Sequence, residues 1–370
     1  MKVLLIGNYA GDKQESMGRY ANMVQKELIK KSIQVNLIYP PLLFGIFYRK
    51  TKVKKWVGYI DKYIVAPIYL FFISKFNSNY DIIHICDHSN AIYRKLFDPK
   101  KLVITCHDVL AIRGALGYVD AHCKATRAGV ILQKWILNNL INIDKIACVS
   151  KTTLKQLIEL ISDNQAVQKQ WKYVPNTFNQ SFEPIEIELL KATLRKFNLT
   201  NASYMLHVGS DLERKNRSVL LELLSKKKDI QLVVTHPFNV DLLDYKTHAN
   251  RISILTNLSS QELAAIYQGA FAFLFPSLSE GFGWPIIEAQ KSGIPVICSD
   301  IPIHREIAGD AAIFVDSEKI DEFVLAIDVL NNQEIRKSLI LKGLENIQKY
   351  ESQIFIDSLI DLYNSNEVLD

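Results

Sequence analysis

The stretch Glu280-Gly-Phe-Gly-Trp-Pro-Ile-Ile-Glu288 joins a strand-like run to a helix-like run and decides the fold class. Residues 270–277 before it are apolar and predict a buried strand, whereas the residues after it predict an amphipathic helix. Pro285 suits the first helical turn, where its missing N–H costs nothing. Gly281 and Gly283 allow a sharp backbone turn that passes close to a ligand. A strand, a glycine turn and a helix in this order are typical of an α/β protein.

The same stretch carries two carboxylates beside a helix start. The free N–H groups of that first turn favour an anionic group, such as phosphate. Glu280 and Glu288 flank this position and have acceptor oxygens for hydroxyl groups. Phosphate donors beside hydroxyl acceptors are what a nucleotide sugar requires. Glycine-rich turns of this kind also occur in α/β proteins without such a ligand, so the motif alone leaves both interpretations open.

Length and composition predict two globular domains. A chain of 370 residues exceeds one ordinary domain, and two of roughly 150–200 residues are expected. The apolar run at Met1–Gly7 is too short for a signal peptide and predicts a first strand. No run reaches the roughly 18 apolar residues of a membrane-spanning helix. The five cysteines are odd in number and form no CxxC pair, which favours reduced thiols in a cytosolic protein over a disulfide or zinc framework.

The charge is divided unevenly along the chain. Residues 1–180 hold 26 Lys and Arg against 12 Asp and Glu, a net charge of +14, and residues 181–370 have a net charge of −9. A basic half joined to an acidic half indicates that the first half meets an anionic partner.

Strand-like runs alternate with helix-length stretches throughout, which predicts two parallel, doubly wound α/β domains. The linker is expected at 176–201, where this rhythm breaks. The expected domains are 1–180, 181–350 and a C-terminal helix at 351–370, which is acidic and expected to pack back on the first domain. The candidate strands are 2–6, 34–39, 81–86, 102–106, 145–149, 172–174, 204–209, 230–235, 251–255, 270–275, 294–298 and 312–315.

A basic run is followed by an aromatic stretch in the first half. Residues 49–55 contain five cations in seven positions, and aromatic and aliphatic residues follow to about residue 76. Such a segment can lie on an anionic membrane surface. It is equally compatible with a solvated charge run before a buried helix, and both interpretations stay open.

Four motifs in order make the chain resemble glycosyltransferase family 4, retaining enzymes of the GT-B fold that act in bacterial cell-surface polysaccharide synthesis. The resemblance covers nearly the whole chain. The first two motifs are Gly18-Arg-Tyr20 at a helix start and Thr105-Cys-His107-Asp108 after a first-domain strand. The third is His207-Val-Gly-Ser-Asp-Leu-Glu-Arg-Lys-Asn216 after the first strand of the second domain. The fourth is the stretch Glu280–Glu288, which we call the glutamate motif.

The resemblance implies a role for each matching residue. Arg214 and Lys215 match the cations that neutralise the donor diphosphate as the glycosidic bond breaks, which is where fixed charges contribute most. The chain departs from many family members at Ser210, where those members have an arginine. Glu280 matches the residue that contacts the donor sugar, and Glu288 matches the residue that binds the ribose. Other implied donor-site and catalytic residues are Gly18, His107, Gly209, Phe282, Gly283 and Trp284.

These inferences give an expected enzyme: a retaining, metal-independent hexosyltransferase with two Rossmann-like domains facing across a cleft. No cofactor or metal is expected beyond the nucleotide-diphosphate sugar donor. We interpret the His84-Ile-Cys-Asp-His88 cluster as structural or acceptor-side, because it lacks a closed ligand set. The expected partners are the donor, a saccharide or lipid-linked acceptor and an anionic membrane through residues 49–76, with no nucleic acid. The expected location is cytoplasmic, peripheral on the inner face of the plasma membrane. The alternatives are a UDP-sugar 2-epimerase-like isomerase and a non-catalytic sugar-nucleotide-binding subunit.

Overall fold

The computed structural model describes residues 1–12, 15–45, 53–76, 79–161, 169–238 and 243–365. In these residues the strands form two parallel six-stranded sheets. The first sheet contains β1 (Lys2–Ile6), β2 (Gln34–Ile38), β3 (Ile82–Ile85), β4 (Leu102–Cys106), β5 (Lys145–Cys148) and β6 (Gln170–Tyr173). The second contains β7 (Tyr204–His207), β8 (Gln231–Val234), β9 (Ile252–Ile254), β10 (Ala272–Phe275), β11 (Val296–Ser299) and β12 (Ile313–Val315). Each candidate strand overlaps one of these, so the predicted α/β class is confirmed.

Helices connect the strands in chain order. They are α1 (Glu15–Lys30), α2 (Val53–Ile60), α3 (Ala66–Phe76), α4 (Leu110–Ala115), α5 (Arg127–Leu140), α6 (Lys151–Ile158), α7 (Ile187–Lys196), α8 (Ser218–Lys226), α9 (Leu243–His248), α10 (Ser260–Gln268), α11 (Trp284–Lys291), α12 (Pro302–Ala308), α13 (Ile320–Val329), α14 (Gln333–Asn346) and α15 (Ser352–Asn364). A π-helical turn, Asp61–Val65, joins α2 to α3. Short 3-10 helices lie at Ala10–Asp12, His88–Leu96, Pro99–Lys101, Val119–Ala121, Glu213–Lys215, Ala249–Arg251 and Ile347–Tyr350.

The strand orders define a switch point in each sheet. The first sheet has the order β2-β1-β3-β4-β5-β6, and the second has the order β12-β11-β10-β7-β8-β9. The chain therefore reverses direction across the first sheet between β1 and β3, and across the second between β7 and β10. In open parallel sheets, ligands bind beyond the carboxyl ends of the strands at such a switch point. The loop after β7 holds Arg214 and Lys215, which we call the cation motif. The loop after β10 leads into the glutamate motif.

The chain divides into two compact units. The first comprises Met1–Gly117, Ala125–Asn179 and Ser352–Asp370, and the second comprises Tyr118–Lys124 and Gln180–Glu351. The short segment Tyr118–Lys124 departs from the expected boundary at residue 180. It joins the second unit because the Ser279 hydroxyl donates to the Ala121 carbonyl and Lys124 pairs with Glu213. The expected linker at 176–201 contains α7 and is not a plain connection.

The C-terminal helix α15 belongs to the first unit. Its Asp357 accepts from Lys31 at 3.0 Å, and its Asp361 accepts from Lys172 at 2.7 Å. The Lys145 ammonium donates to the Tyr363 carbonyl at 3.2 Å, and both residues are buried. The acidic end of the chain is thus attached to basic side chains of this unit.

The segment from α2 through α3 forms one long apolar helix. Its part Val57–Lys75 has 19 residues and a mean hydropathy of 1.3, long and apolar enough to cross a membrane by length and composition, and 22% of it is buried. The expectation from the sequence that no segment reaches this length was wrong. Asp61 and Lys62 interrupt the apolar run, but the helix continues through both. Both side chains face inward, since Asp61 is fully buried and Lys62 is 5% exposed.

Candidate active site

The glutamate motif forms the turn that was expected from its sequence. Strand β10 ends at Phe275, and α11 begins at Trp284 with Pro285 in its first turn. Gly283 lies between them with φ of 95° and ψ of 49°, a left-handed conformation that favours glycine. Phe282 is buried, and the centres of the Phe282 and Trp284 rings lie 5.9 Å apart in an edge-to-face arrangement. The loop is therefore a packed, defined turn at the carboxyl end of β10.

The cation motif forms a second turn at the carboxyl end of the neighbouring strand β7. Arg214 and Lys215 lie in the 3-10 helix Glu213–Lys215, which ends at Asn216 in a left-handed conformation with φ of 49°. A backbone hydrogen bond of 2.7 Å from the Leu278 N–H to the Arg214 carbonyl joins this turn to the loop after β10. The sheet order places the two loops side by side, although 65 residues separate them in sequence.

Arg214, Lys215 and Glu280 form a buried ionic triad. The Lys215 ammonium lies 2.5 Å from one oxygen of Glu280, and Arg214 donates to the other oxygen at 2.8 Å. Arg214 also donates to the Ser279 carbonyl at 2.8 Å. The exposed fractions of the three side chains are 20%, 11% and 7%, respectively. Three predicted site residues are therefore brought together, and the triad has a net charge of +1.

The protonation states of the triad follow from burial and pairing. Burial alone raises the pKa of Glu280, but the charges and hydrogen bonds of Lys215 and Arg214 outweigh it and hold that pKa well below its ordinary value. Burial lowers the pKa of Lys215, and the charge of Glu280 opposes this shift. The Lys215 ammonium also lies 4.9 Å from the centre of the Phe275 ring, which favours the charged form. The paired side chains of the triad present a net positive charge to the switch point of the second sheet.

Glu288 lies on α11, apart from the ionic triad. It is 5% exposed, and one of its oxygens accepts a hydrogen bond of 2.9 Å from the Tyr267 hydroxyl. Tyr267 comes from α10 and is fully buried, and burial followed by the charge of Glu288 raises the pKa of its hydroxyl well above the ordinary value. The tyrosine therefore stays protonated and holds the carboxylate in one orientation.

Gly209 lies beside the triad in the loop after β7. A Cβ atom at this position would lie 3.0 Å from the His207 ring and 3.7 Å from the Lys215 side chain. A side chain here would press on the His207 ring, whereas the distance to Lys215 is an ordinary contact. The packing of the loop itself therefore favours glycine.

Two buried histidines next to the triad were not singled out by the sequence analysis. His207 donates through Nδ1 to the Leu274 carbonyl at 3.0 Å, and His304 donates through Nδ1 to the Ser299 carbonyl at 2.9 Å. Burial lowers the pKa of His207 to about 3 and that of His304 to about 4, so both rings are neutral. Their Nε2 atoms are consequently hydrogen-bond acceptors.

These Nε2 atoms have no hydrogen-bond partner among the described residues, and neither do the buried hydroxyls of Ser277 and Ser299. A buried polar atom without a partner costs about 1–3 kcal/mol, so such a cluster suits a ligand hydroxyl or a water molecule. His207 and Ser299 end β7 and β11, Ser277 follows β10, and His304 lies in α12. Their position at or just beyond strand ends is a sequence signal that could have identified them.

His107 belongs to the first unit, where it follows β4. Its Nε2 donates to the Cys86 carbonyl at 2.8 Å, which leaves Nδ1 as the acceptor nitrogen of the neutral ring. Burial lowers the pKa of His107, and Asp87 opposes this shift. The Tyr20 ring meets the His107 ring edge-on at 4.6 Å. Gly18 lies in the first turns of α1, and a Cβ atom there would have no neighbour within 4 Å.

His84 and Asp87 of the His84–His88 segment make structural hydrogen bonds within the first unit. Both ring nitrogens of His84 are hydrogen-bonded, to Tyr363 and to Thr105. Asp87 caps the following 3-10 helix by accepting from the Ser89 N–H at 2.7 Å. Across the described residues, no group of three or more His, Cys, Asp or Glu side chains is arranged to hold a metal ion.

The basic run at 49–55 lies outside the side chains that the structure describes. The helix that follows it exposes a row of apolar side chains four residues apart. Ile60, Ile64, Ile68 and Phe72 are 41%, 56%, 55% and 53% exposed.

Residues 192–345 match the family model of glycosyl transferases group 1. The O-antigen chain mannosyltransferase B of Escherichia coli is 26% identical over 183 residues, covering 46% of this chain and 48% of the relative. The O-antigen chain mannosyltransferase RfbU of Salmonella typhimurium is 38% identical over 97 residues, covering 24% of this chain and 28% of the relative. The matches thus span about half or less of the length of these relatives.

Solved structures resemble the whole chain at low sequence identity. Sucrose-phosphate synthase of Thermosynechococcus elongatus has a TM-score of 0.74 at 16% identity and covers 98% of both chains. Anabaena HepE, solved in complex with UDP and glucose, has a TM-score of 0.71 at 12% identity and covers 99% of this chain and 100% of its own. WaaG, a glycosyltransferase involved in lipopolysaccharide biosynthesis, has a TM-score of 0.66 at 12% identity, with 99% and 100% covered. The predicted resemblance is confirmed by the match of residues 192–345 to the group 1 glycosyl transferases, and the chain has the two-domain GT-B fold.

Proposed function

We propose that the chain transfers a hexosyl group from a nucleoside-diphosphate sugar to a saccharide or lipid-linked acceptor in cell-surface polysaccharide synthesis. The observation that carries the proposal is the buried triad of Arg214, Lys215 and Glu280 at the switch point of the second sheet. Its net positive charge is fixed in a poorly solvated position beside the amino end of α11. Such a position stabilises the negative charge that develops on a departing diphosphate.

The proposed residue roles combine this arrangement with what the resemblance of the motifs implies. Arg214 and Lys215 stabilise the diphosphate, and Glu280 holds both cations in place while its oxygens face the donor sugar. Glu288, oriented by Tyr267, accepts hydrogen bonds from the ribose hydroxyls. His107, in the first unit, keeps its Nδ1 as an acceptor for a substrate hydroxyl.

The proposal includes retention of configuration and independence from divalent metals. Fixed cations supply the charge that a metal ion supplies elsewhere. The acceptor attacks from the face that the leaving group vacates, and its proton passes to a phosphate oxygen of the donor. The anomeric carbon loses one C–O bond and gains another, and the products are the glycoside and the nucleoside diphosphate.

A transfer assay tests the proposal. Purified protein is incubated with GDP-, UDP- and dTDP-linked hexoses and with saccharide and lipid-linked acceptors, and GDP-mannose comes first because the named relatives are mannosyltransferases. We expect one donor to give a glycoside whose anomeric configuration, read by NMR, matches that of the donor. Release of the nucleoside diphosphate from every donor without a glycoside contradicts transfer, and an inverted product contradicts retention alone.

The acceptor side includes a membrane contact in this proposal. The exposed row of Ile60, Ile64, Ile68 and Phe72 forms the apolar face of a helix whose buried Asp61 and Lys62 anchor it to the first unit. Asp61 accepts from the Tyr9 hydroxyl at 2.7 Å and from three backbone amides, and Lys62 pairs with Asp12 at 3.0 Å. A helix tied down on its polar side and apolar on its outer side is suited to lie in the bilayer interface rather than to span it.

The occupant of this face is an anionic bilayer, because the first half of the chain has a net charge of +14 and five cations precede the helix. Each cation near an anionic surface contributes about 1 kcal/mol. The chain then acts at the cytoplasmic face of the membrane, where it meets a lipid-linked acceptor.

Co-sedimentation with vesicles tests the membrane contact. The parent protein should bind vesicles that contain anionic lipid, and less of it should bind as salt rises, because exposed charges are screened beyond about 10 Å at 0.1 M ionic strength. Replacing Ile64, Ile68 and Phe72 with serine should abolish binding, whereas Leu325→Ser, a control at a 63% exposed leucine of the second unit, should leave it unchanged. Equal binding by the triple variant and the parent contradicts the assignment of this face.

A further inference from the structure

A buried chain of hydrogen bonds connects the C-terminal helix α15 to the centre of the first unit. The Tyr363 hydroxyl lies 2.6 Å from His84 Nδ1, and His84 Nε2 lies 2.7 Å from the Thr105 hydroxyl. The Thr105 hydroxyl lies 2.8 Å from the Tyr20 hydroxyl. The four residues are 0–3% exposed, so water does not compete for these bonds.

The protonation states of His84, Tyr20 and Tyr363 keep this chain of hydrogen bonds ordered. Burial, followed by the neighbouring His107, lowers the pKa of His84 to about 3, so the imidazole is neutral and has one N–H. Burial raises the pKa values of Tyr20 and Tyr363, so both hydroxyls stay protonated. A neutral imidazole donates through one nitrogen and accepts through the other, and its two bonds are therefore coupled. Loss of either neighbour allows the ring to change tautomer.

This chain of hydrogen bonds lies next to two contacts of the His107 ring, one with the Tyr20 ring and one with the Cys86 carbonyl. Tyr20, at one end, meets His107 edge-on at 4.6 Å with an interplanar angle of 90°. His84 lies two residues before Cys86, whose carbonyl accepts from His107 Nε2 at 2.8 Å. Thr105 lies two residues before His107, in β4, the strand that His107 follows. A change in this chain of hydrogen bonds therefore alters the surroundings of the His107 ring on more than one side.

We propose that Tyr363 is a positioning residue for His107 and acts through His84, Thr105 and Tyr20. The C-terminal helix is on this account part of the machinery that orients the histidine, and not only a cover for the first unit. The inference rests on the proposed function, because it assigns significance to the orientation of His107 Nδ1 towards a substrate hydroxyl.

Three substitutions test the connection at separate points. Tyr363→Phe removes one hydroxyl and keeps the ring. Thr105→Val removes a hydroxyl at nearly constant volume, and Thr105→Ser restores it. Tyr204→Phe is the matched control, since the Tyr204 hydroxyl also makes one buried hydrogen bond, 2.6 Å to the Ile266 carbonyl, but at the start of β7 in the second unit.

We expect Tyr363→Phe and Thr105→Val to lower kcat at least tenfold, within the roughly 10²-fold that a misplaced catalytic group costs. The dissociation constant of the donor should stay within about twofold of the parent value, because donor binding rests on the second unit. Thr105→Ser should restore most of kcat, and Tyr204→Phe should keep it. If Thr105→Ser is as slow as Thr105→Val, or if Tyr363→Phe has the parent kcat, the inference is wrong.

A readout without activity separates this inference from the proposed function. NMR of the protein labelled with ¹⁵N-histidine reports the tautomer of His107 directly. The parent should show a single Nε2–H tautomer, and Tyr363→Phe and Thr105→Val should shift its nitrogen resonances while Tyr204→Phe does not. Unchanged His107 resonances in both variants overturn the inference even in an active enzyme. Shifted resonances in a protein that transfers no sugar support the positioning and contradict the proposed function.

Discussion

Replacing Glu280 with glutamine removes the negative charge from the ionic triad and keeps its shape. In the parent, Glu280 is 7% exposed and accepts from Lys215 at 2.5 Å and from Arg214 at 2.8 Å. The variant leaves two poorly solvated cations side by side without a counter-charge. Removing one partner of a buried ion pair costs about 3–5 kcal/mol, because the remaining charge is uncompensated. The free energy of unfolding of the second unit should fall by about this amount.

The loss is large enough to measure by two methods. For a unit of about 150–250 residues, 1 kcal/mol corresponds to about 2–4 °C, so the Tm should fall by roughly 6–20 °C. Urea denaturation followed by tryptophan fluorescence gives the free energy itself. The two units have separate cores and can unfold in separate steps, so the transition that contains the second unit is the one to compare.

A double-mutant cycle assigns the loss to the ion pair. Lys215→Met removes the closest cation at similar length, and the double variant Lys215→Met/Glu280→Gln removes both charges. The double variant should be more stable than the sum of the single losses predicts, by about 1–3 kcal/mol. Simple additivity, or a loss below about 1 kcal/mol in Glu280→Gln, would refute the reasoning, because the charges would then be solvated or paired elsewhere.

Three further predictions follow from the same site. The folded pKa of Glu280 lies below its ordinary value of 4.5, so its stabilising effect is complete above about pH 5 and is lost as the pH falls towards 2; urea titrations over this range should show a steeper loss in the parent than in Glu280→Gln, and parallel curves would contradict the shift. Gly283→Ala should cost about 1–2 kcal/mol, because φ is 95° while the added Cβ meets its nearest neighbour at an ordinary 3.5 Å; an unchanged Tm would show that this turn is not left-handed in solution. Transfer activity should persist in excess EDTA, and a complete loss that magnesium or manganese restores would overturn metal independence.

The strands were predictable because each is a short apolar run that parallel pairing buries on both faces. The runs at 102–106 and 270–275 predict β4 and β10 to within two residues. The long helix after residue 53 was harder to predict, because Asp61 and Lys62 break the apolar pattern. Tertiary partners, among them the Tyr9 hydroxyl and the Asp12 carboxylate, explain how these charges are accommodated.

The site was predictable as a set of residue types and less so as a set of contacts. Arg214, Lys215 and Glu280 were identified from their motifs, but their bonding depends on β7 and β10 being neighbours, which the strand order decides. The hydrogen bond between Glu288 and Tyr267 joins two helices and has no local sequence signal. His84 and Tyr363 are 279 residues apart, so their bond is visible only once α15 is seen to pack on the first unit.

The central claim is that the second unit binds a nucleoside diphosphate sugar through the triad and Glu288. Calorimetric titration of the parent and of Glu288→Gln with GDP, UDP and dTDP tests it most directly. We predict that one of these nucleotides binds the parent in a one-to-one complex and that Glu288→Gln weakens its affinity at least tenfold, about 1.4 kcal/mol, with the fold intact. Absence of binding by all three nucleotides, or equal affinity in the parent and the variant, would contradict the claim.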